Sequence, residues 1–262
     1  MARTVRLSAN LGFLWTELPF PEAVRAAAAA GFEAVELHWP YDVPADDLVA
    51  ALRETGLPVL GLNTRRGDTS AGENGLSALQ GREADARAAI DEAYDYGARI
   101  GARAVHVMAG FASGDDAAAT FRANLAYAAD RAAERGMGVL IEPLNRRDAP
   151  GYFLKDAWQA AALIREIGRD EIRIMFDCYH LQIMQGDLTK LYGEVASLVG
   201  HIQFAAVPSR AEPDEGEIAY ERLLPALAAQ GYGGCFGAEY RPRAGADGGT
   251  DAGLGWLRLF ED

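Results

Sequence analysis

Along the chain, short apolar runs rich in β-branched residues alternate with longer Ala-, Leu-, Glu- and Arg-rich segments whose apolar positions recur with helical period. Eight such pairs follow one another from end to end. Strands are predicted at 5–10, 34–38, 58–63, 104–108, 138–142, 172–177, 201–205 and 235–239, and helices at 21–30, 45–54, 82–100, 115–134, 155–167, 188–199, 220–229 and about 251–259. Gly31, Gly56, Gly101, Gly136, Gly168, Gly200 and Gly231 stand at the helix ends, where a residue free to take positive φ can close a helix before the next strand. Alternation of this kind predicts an α/β fold with a parallel sheet. No break in composition and no linker-like stretch divides the chain, so the pattern fits one closed (β/α)8 TIM barrel spanning 1–262 as a single domain. An open doubly wound sheet is the competing fold. It usually carries a glycine-rich turn after the first strand, whereas the segment here, Ala9-Asn10-Leu11-Gly12-Phe13, has one glycine. The glycines of 231–237 precede a strand and open no helix, so they predict a helix-to-strand turn.

Charge narrows the function classes. The 262 residues hold 25 Lys+Arg against 38 Asp+Glu, a net charge of −13, which argues against nucleic-acid binding. Half the residues are apolar and about a quarter charged, the balance of a soluble globular chain. Every apolar stretch is interrupted by Arg, Glu or Gly before the roughly 18 residues of a membrane span. Arg3 and Arg6 lead into Ser8, Asn10 and Glu17 without an apolar core, so no signal peptide is expected and a cytoplasmic location is. Cys178 and Cys235 are far apart and outside any CxxC, which predicts structural thiols. The longest loop, 64–80, carries Arg65, Arg66, Asp68, Glu73 and Asn74, and reads equally as a binding segment or as a polar surface loop.

In a parallel barrel the C-terminal ends of the strands converge on one mouth. Strands five to eight end in Glu142, Asp177, Gln203 and Glu239, four oxygen donors on four consecutive strands. Neighbouring strands lie about 4.8 Å apart, so these side chains can reach a common centre. Each acid could instead cap a helix or pair with an arginine on its own. Three gathered carboxylates would repel, and a divalent cation relieves that repulsion; an all-oxygen set suits Mg²⁺ or Mn²⁺ better than Zn²⁺. A hard cation among carboxylates points to proton transfer between adjacent carbons of a small hydroxy-ketone, with Glu142 and Glu239, on the outer two strands, as acid and base. His180, Asp148 and Arg210 follow these strand ends closely enough to contact substrate, Arg210 by pairing a carboxylate. His38 and His106 are expected to line the mouth, and His201, placed at the start of its strand, to be structural.

These residues sit in longer motifs: Ser8-Ala-Asn10-Leu, Pro40-Tyr41, Gly67-Asp68 with Ala71-Gly-Glu73, Gly81-Arg-Glu83, Ile141-Glu-Pro143, Asp177-Cys-Tyr-His180, Glu215-Gly-Glu-Ile218 and Ala238-Glu-Tyr240. Together they resemble the hydroxypyruvate isomerase family of xylose-isomerase-like barrels across essentially the whole chain. Asn63-Thr64 through Gly67-Asp68, Gly75-Leu-Ser-Ala-Leu79 and Val105-His-Val-Met-Ala-Gly110 look closest to the 2-oxo-tetronate isomerase branch. The resemblance implies an aldose–ketose-type isomerase with Glu142 and Glu239 as the proton-transfer pair. It also implies a divalent metal on Glu142, Asp177, Gln203 and Glu239, substrate contacts at Asp148, His180 and Arg210, a small-molecule substrate and homo-oligomerisation. The chain departs from the family pattern at Arg65-Arg66, Arg146-Arg147 and Val207-Pro-Ser209. A ketose 3-epimerase would need the same metal and acids, and a sugar-acid-binding protein would keep the cleft without turnover. An endonuclease of the same superfamily would need several zinc ions and a basic groove, which the charge and four histidines oppose.

Overall fold

The alternating pattern closes on itself. In the computed structural model, which describes residues 5–245 and 248–261, eight parallel strands pair in chain order and the last returns to the first. They are β1 (Leu7–Asn10), β2 (Ala34–Leu37), β3 (Val59–Asn63), β4 (Ala104–His106), β5 (Gly138–Ile141), β6 (Ile172–Asp177), β7 (Val199–Phe204) and β8 (Phe236–Ala238). Among the described residues the helices are α1 (Phe20–Ala29), α2 (Ala45–Thr55), α3 (Glu83–Ile100), α4 (Gly114–Arg135), α5 (Ala157–Ile167), α6 (Cys178–Met184), α7 (Leu188–Val195), α8 (Tyr220–Ala229) and α9 (Gly249–Gly253), the last continued by a 3₁₀ segment, Leu254–Phe260. None of them is long and apolar enough to cross a membrane.

Several boundaries differ from the sequence pattern, most of all between β6 and β7. Helix α6 was not predicted: it begins directly after β6, because Asp177 ends the strand and caps the helix at once, accepting from the backbone N–H of Tyr179 at 2.7 Å. The helix expected at 188–199 ends at Val195, and β7 starts at Val199, so His201 is the third residue of its strand rather than the first. Gly200 therefore closes no helix. It lies in β7, where an added Cβ would meet Cβ of Arg173 at 2.6 Å, so the residue is needed for close strand approach. Gly56, by contrast, takes the left-handed conformation that ends α2, at φ 73°.

Strand parity divides the molecule into two cores. Outward residues such as Val35, Val105, Val139, Phe176, Phe204 and Phe236 join the inner faces of the helices in one large apolar cluster. Helix α5 shows how a helix docks there: Asp156 caps it by accepting from Gln159 N at 2.8 Å, and Leu163 and Ile164 face inward, each contributing about 1.5–3 kcal/mol on burial. Both cysteines are free and buried, in keeping with structural thiols. The barrel lumen is different. Ala104, Leu140 and Met175 form a small apolar floor. Above it, at or within one residue of each strand's end, stand Asn10, His38, Asn63, His106, Glu142, Asp177, Gln203 and Glu239, a polar ring with a member from every strand.

Candidate active site

The ring opens into a cavity of about 410 Å³, lined in part by Glu142, Glu239, His106, His180 and Arg210. At its base Glu142, Asp177, His180 and Glu239 each present a ligand atom, all within 4.8 Å of one another. Register explains the gathering: Asp177 pairs with Gln203 across β6 and β7, and Gln203 with Gly237 across β7 and β8, two residues before Glu239.

The four strand-end donors have unequal surroundings. Glu239 is held on every side, its Oε1 accepting from Asn10 Nδ2 at 2.9 Å and Gln203 Nε2 at 3.4 Å and lying 3.1 Å from His38 Nε2, while Oε2 accepts from Arg210 Nη2 at 2.7 Å. Burial pushes this carboxyl upward, but the His38 hydrogen bond and the Arg210 and His38 charges outweigh it and hold it well below the usual carboxylate range. Glu142 has the opposite environment. Its Oε1 is buried without a hydrogen-bond partner, and burial with the charges of Glu239 and Asp177 raises it far above the ordinary value. Asp177 is pushed up to about 8 by burial and by Glu239, against the pull of Arg210. Its Oδ1 caps α6, but Oδ2 has no partner, and Gln203 Oε1 has none either. Capping and arginine pairing thus each engage one oxygen of an acid, and other oxygens still converge.

Two amides and an imidazole are oriented by their neighbours. Gln203 donates through Nε2 to Glu36 Oε2 at 2.8 Å, which leaves Oε1 as its free acceptor. Asn145 accepts through Oδ1 from the backbone of Arg147 and Asp148, so its Nδ2 and its own N–H both point at His180 Nδ1, at 2.8 and 3.0 Å. His180 must then carry its proton on Nε2, 3.8 Å from Glu142 and 3.7 Å from Asp177. Burial and the Arg210 charge lower its pKa to about 3, so the ring is a neutral donor. His106 is also buried and neutral, lowered to about 3 by burial and His38, and neither ring nitrogen has a partner.

The remaining predicted residues come together here. Arg210 sits in the left-handed region at φ 55° with its guanidinium 4.7 Å from the Phe13 ring and 4.9 Å from that of Tyr179, and strain of this kind in a non-glycine residue concentrates at functional sites. Asp148 accepts from Tyr179 OH at 2.9 Å and from Asn145 Nδ2 at 3.1 Å. His38 and His106 line the mouth as expected. His201 lies in the lumen away from the mouth, with Nε2 3.0 Å from Glu36 Oε1, and it also lines a cavity with Gly138, Gly200 and Cys235 at the strands' N-terminal ends. The 64–80 loop contributes Arg66, Thr69, Glu73 and Asn74 to the cavity wall. Arg66 stacks 4.0 Å over the Trp39 ring with no carboxylate partner among the described residues, whereas Arg65 turns away to Glu92 at 2.7 Å. Arg146 and Arg147 are exposed and line no part of the cavity. Sequence reasoning missed Asn10, Glu36, Asn63 and Asn145; following the strand parity back through the first four strands would have found the first three.

Residues 24–260 match the xylose isomerase-like TIM barrel family. The chain belongs to that family. A 2-oxo-tetronate isomerase from Cupriavidus necator is 48% identical over 97% of this chain and 98% of its own length. The hydroxypyruvate isomerase of Escherichia coli is 36% identical over 97% of this chain and 98% of its own. A crystal structure from Brucella melitensis, described as an AP endonuclease of family 2, superposes with a TM-score of 0.92 at 41% identity, covering 98% of this chain and all of the other. As a member of this family with isomerase relatives along its full length, the chain is an isomerase.

Proposed function

We propose that this isomerase acts on small 2-oxo acids that carry a hydroxyl on carbon 3, moving the carbonyl from carbon 2 to carbon 3, as in hydroxypyruvate to tartronate semialdehyde or the corresponding change in 2-oxo-tetronate. One observation carries the reading: three buried oxygens without partners, Glu142 Oε1, Asp177 Oδ2 and Gln203 Oε1, stand on three consecutive strands beside Glu239. Buried acceptors left unsatisfied cost roughly 1–3 kcal/mol each, and the raised carboxyl pKa values mark burial first and the neighbouring negative charge second. A hard divalent cation, Mg²⁺ or Mn²⁺, answers both, with Glu142, Asp177, Gln203 and Glu239 as its ligands. His180 is better assigned to substrate, because its cluster-facing nitrogen bears hydrogen. When bound, the cation would polarise the substrate carbonyl and lower the barrier to enolisation.

The residues account for the rest of the reaction. One of Glu142 and Glu239 removes the proton on carbon 3, the electron pair forms the C2–C3 double bond of an enediolate, and a proton returns to carbon 2. The hydroxyl proton of carbon 3 ends on the oxygen of carbon 2, so atoms and electrons balance without a redox partner. His180 Nε2–H and the unpartnered His106 ring are the donors available to those two oxygens. Arg66, stacked on Trp39, supplies the positive charge for the substrate carboxylate, which local charge permits despite the net −13.

Metal-stripped protein incubated in D₂O with hydroxypyruvate or 2-oxo-tetronate, with and without Mn²⁺ or Mg²⁺, tests the reading by proton NMR. Metal-dependent isomerised product is expected, and the faster substrate names the branch. Epimerised free ketoses with both acids untouched would make the protein a ketose 3-epimerase; binding without turnover of any of them would make it a sugar-acid-binding protein.

A further inference from the structure

Glu36 takes no part in the chemistry above, yet it is buried directly beneath it on β2. Its Oε1 accepts from Ser8 Oγ at 2.6 Å and lies 3.0 Å from His201 Nε2, and its Oε2 accepts from Gln203 Nε2 at 2.8 Å. The space it fills is kept for it: a Cβ on Gly237 would stand 2.3 Å from Glu36 Oε1 and 2.9 Å from His201 Nε2. An amide has a donor end and an acceptor end that differ little in shape, so its direction is set by hydrogen bonds alone. A carboxylate only accepts. Nε2 of Gln203 donates to Glu36 Oε2 at 2.8 Å and, more weakly, to Glu239 Oε1 at 3.4 Å, so the amide has one stable direction, with its NH₂ towards these carboxylates and Oε1, the atom without a hydrogen-bond partner, turned away from Glu36.

We infer that Glu36 is a positioning residue that, through Gln203, keeps an oxygen rather than an NH₂ group facing the cation. This rests on the cation reading proposed above. Groups that orient a metal's ligands typically contribute 10–100-fold to affinity.

The test is Mn²⁺ binding by electron paramagnetic resonance titration, alongside thermal unfolding of the same samples. In Glu36→Gln, the new amide keeps its oxygen towards Ser8 Oγ and presents NH₂ to Gln203, which then flips and turns its own NH₂ upward. A Kd for Mn²⁺ raised about 10–100-fold is expected. The exchange Glu36→Gln with Gln203→Glu reverses the hydrogen bond and returns an oxygen to the upper position; it should restore Kd to within about threefold, a rescue that a merely space-filling role for residue 36 would not give. If Glu36→Gln does not fold, Glu36→Asp, which withdraws the carboxylate by one methylene, is read in its place with the same direction expected. Folded Glu36→Gln with unchanged Mn²⁺ affinity, or a folded exchange variant without rescue, overturns the inference. A wild-type protein that binds no Mn²⁺ overturns instead the cation reading on which it stands.

Discussion

Glu239 and Glu142 occupy corresponding places, each one residue past its strand, and yet the two walls of the site are built on opposite plans. Both oxygens of Glu239 are held, by Asn10, His38, Gln203 and Arg210. On the Glu142 side Oε1 and both nitrogens of His106 have no hydrogen-bond partner. In the metal-free protein the Glu239 carboxylate is held ionised and in one direction by its contacts. The Glu142 side is arranged around something that must arrive. The contrast teaches that a site can divide rigidity from reactivity between two sides of one barrel mouth, with preorganised donors on one side and unsatisfied atoms on the other.

Four measurements break or sharpen that contrast. The largest effect is on turnover: Glu142→Gln and Glu239→Gln should each lower kcat by about 10²–10⁴-fold with the proposed 2-oxo acids. Retention of wild-type kcat in either variant would remove that residue from the proton-transfer pair. Next, Arg66→Met should raise KM about 10–100-fold with kcat little changed, since it removes a binding charge and no reacting group. An unchanged KM would return Arg66 to the role of a surface stack on Trp39.

Smaller, and more telling about the two walls, are the effects on metal-free stability. Glu239→Gln leaves Arg210 buried without its carboxylate and should cost about 3 kcal/mol, while Glu142→Gln removes a buried acid with an orphaned oxygen and should gain about 1 kcal/mol. Calorimetry showing the same sign for both would undo the comparison. The smallest effect is a slope with pH. Glu142 and Asp177 have folded pKa values above their unfolded ones, so between about pH 4 and 8 the folded metal-free protein binds more protons than the unfolded chain and stability falls as pH rises. Tm should decline over that window in the metal-free protein, and less so in Glu142→Gln; a flat profile would mean that burial and neighbouring charge do not raise these acids.

The strand-end donors Glu142, Asp177, Gln203 and Glu239 were legible in the sequence because parity and barrel direction are local properties: an apolar run ending in a polar side chain marks its own position. The orienting residues were not, since Asn10 reaches Glu239 across 229 positions and Glu36 reaches Gln203 across 167, and no local pattern announces such pairs. Helix α6 escaped notice for another reason. A strand that passes into a helix through one shared residue, Asp177, offers no turn signal between the two periodicities. His201 stands two residues further into its strand than expected because the helix before it stops early and β7 begins sooner than its apolar run suggests.

The polar ring drawn from all eight strands has a consequence for how such a molecule can change over time. A residue inserted within any strand reverses which side chains face the lumen from that point on, and so deletes a member of the ring. The connecting segments carry no such constraint. Lengthening or rewriting the segment that bears Arg66 leaves the ring's parity untouched, so the choice of molecule can drift in the loops while the reaction stays frozen in the strands.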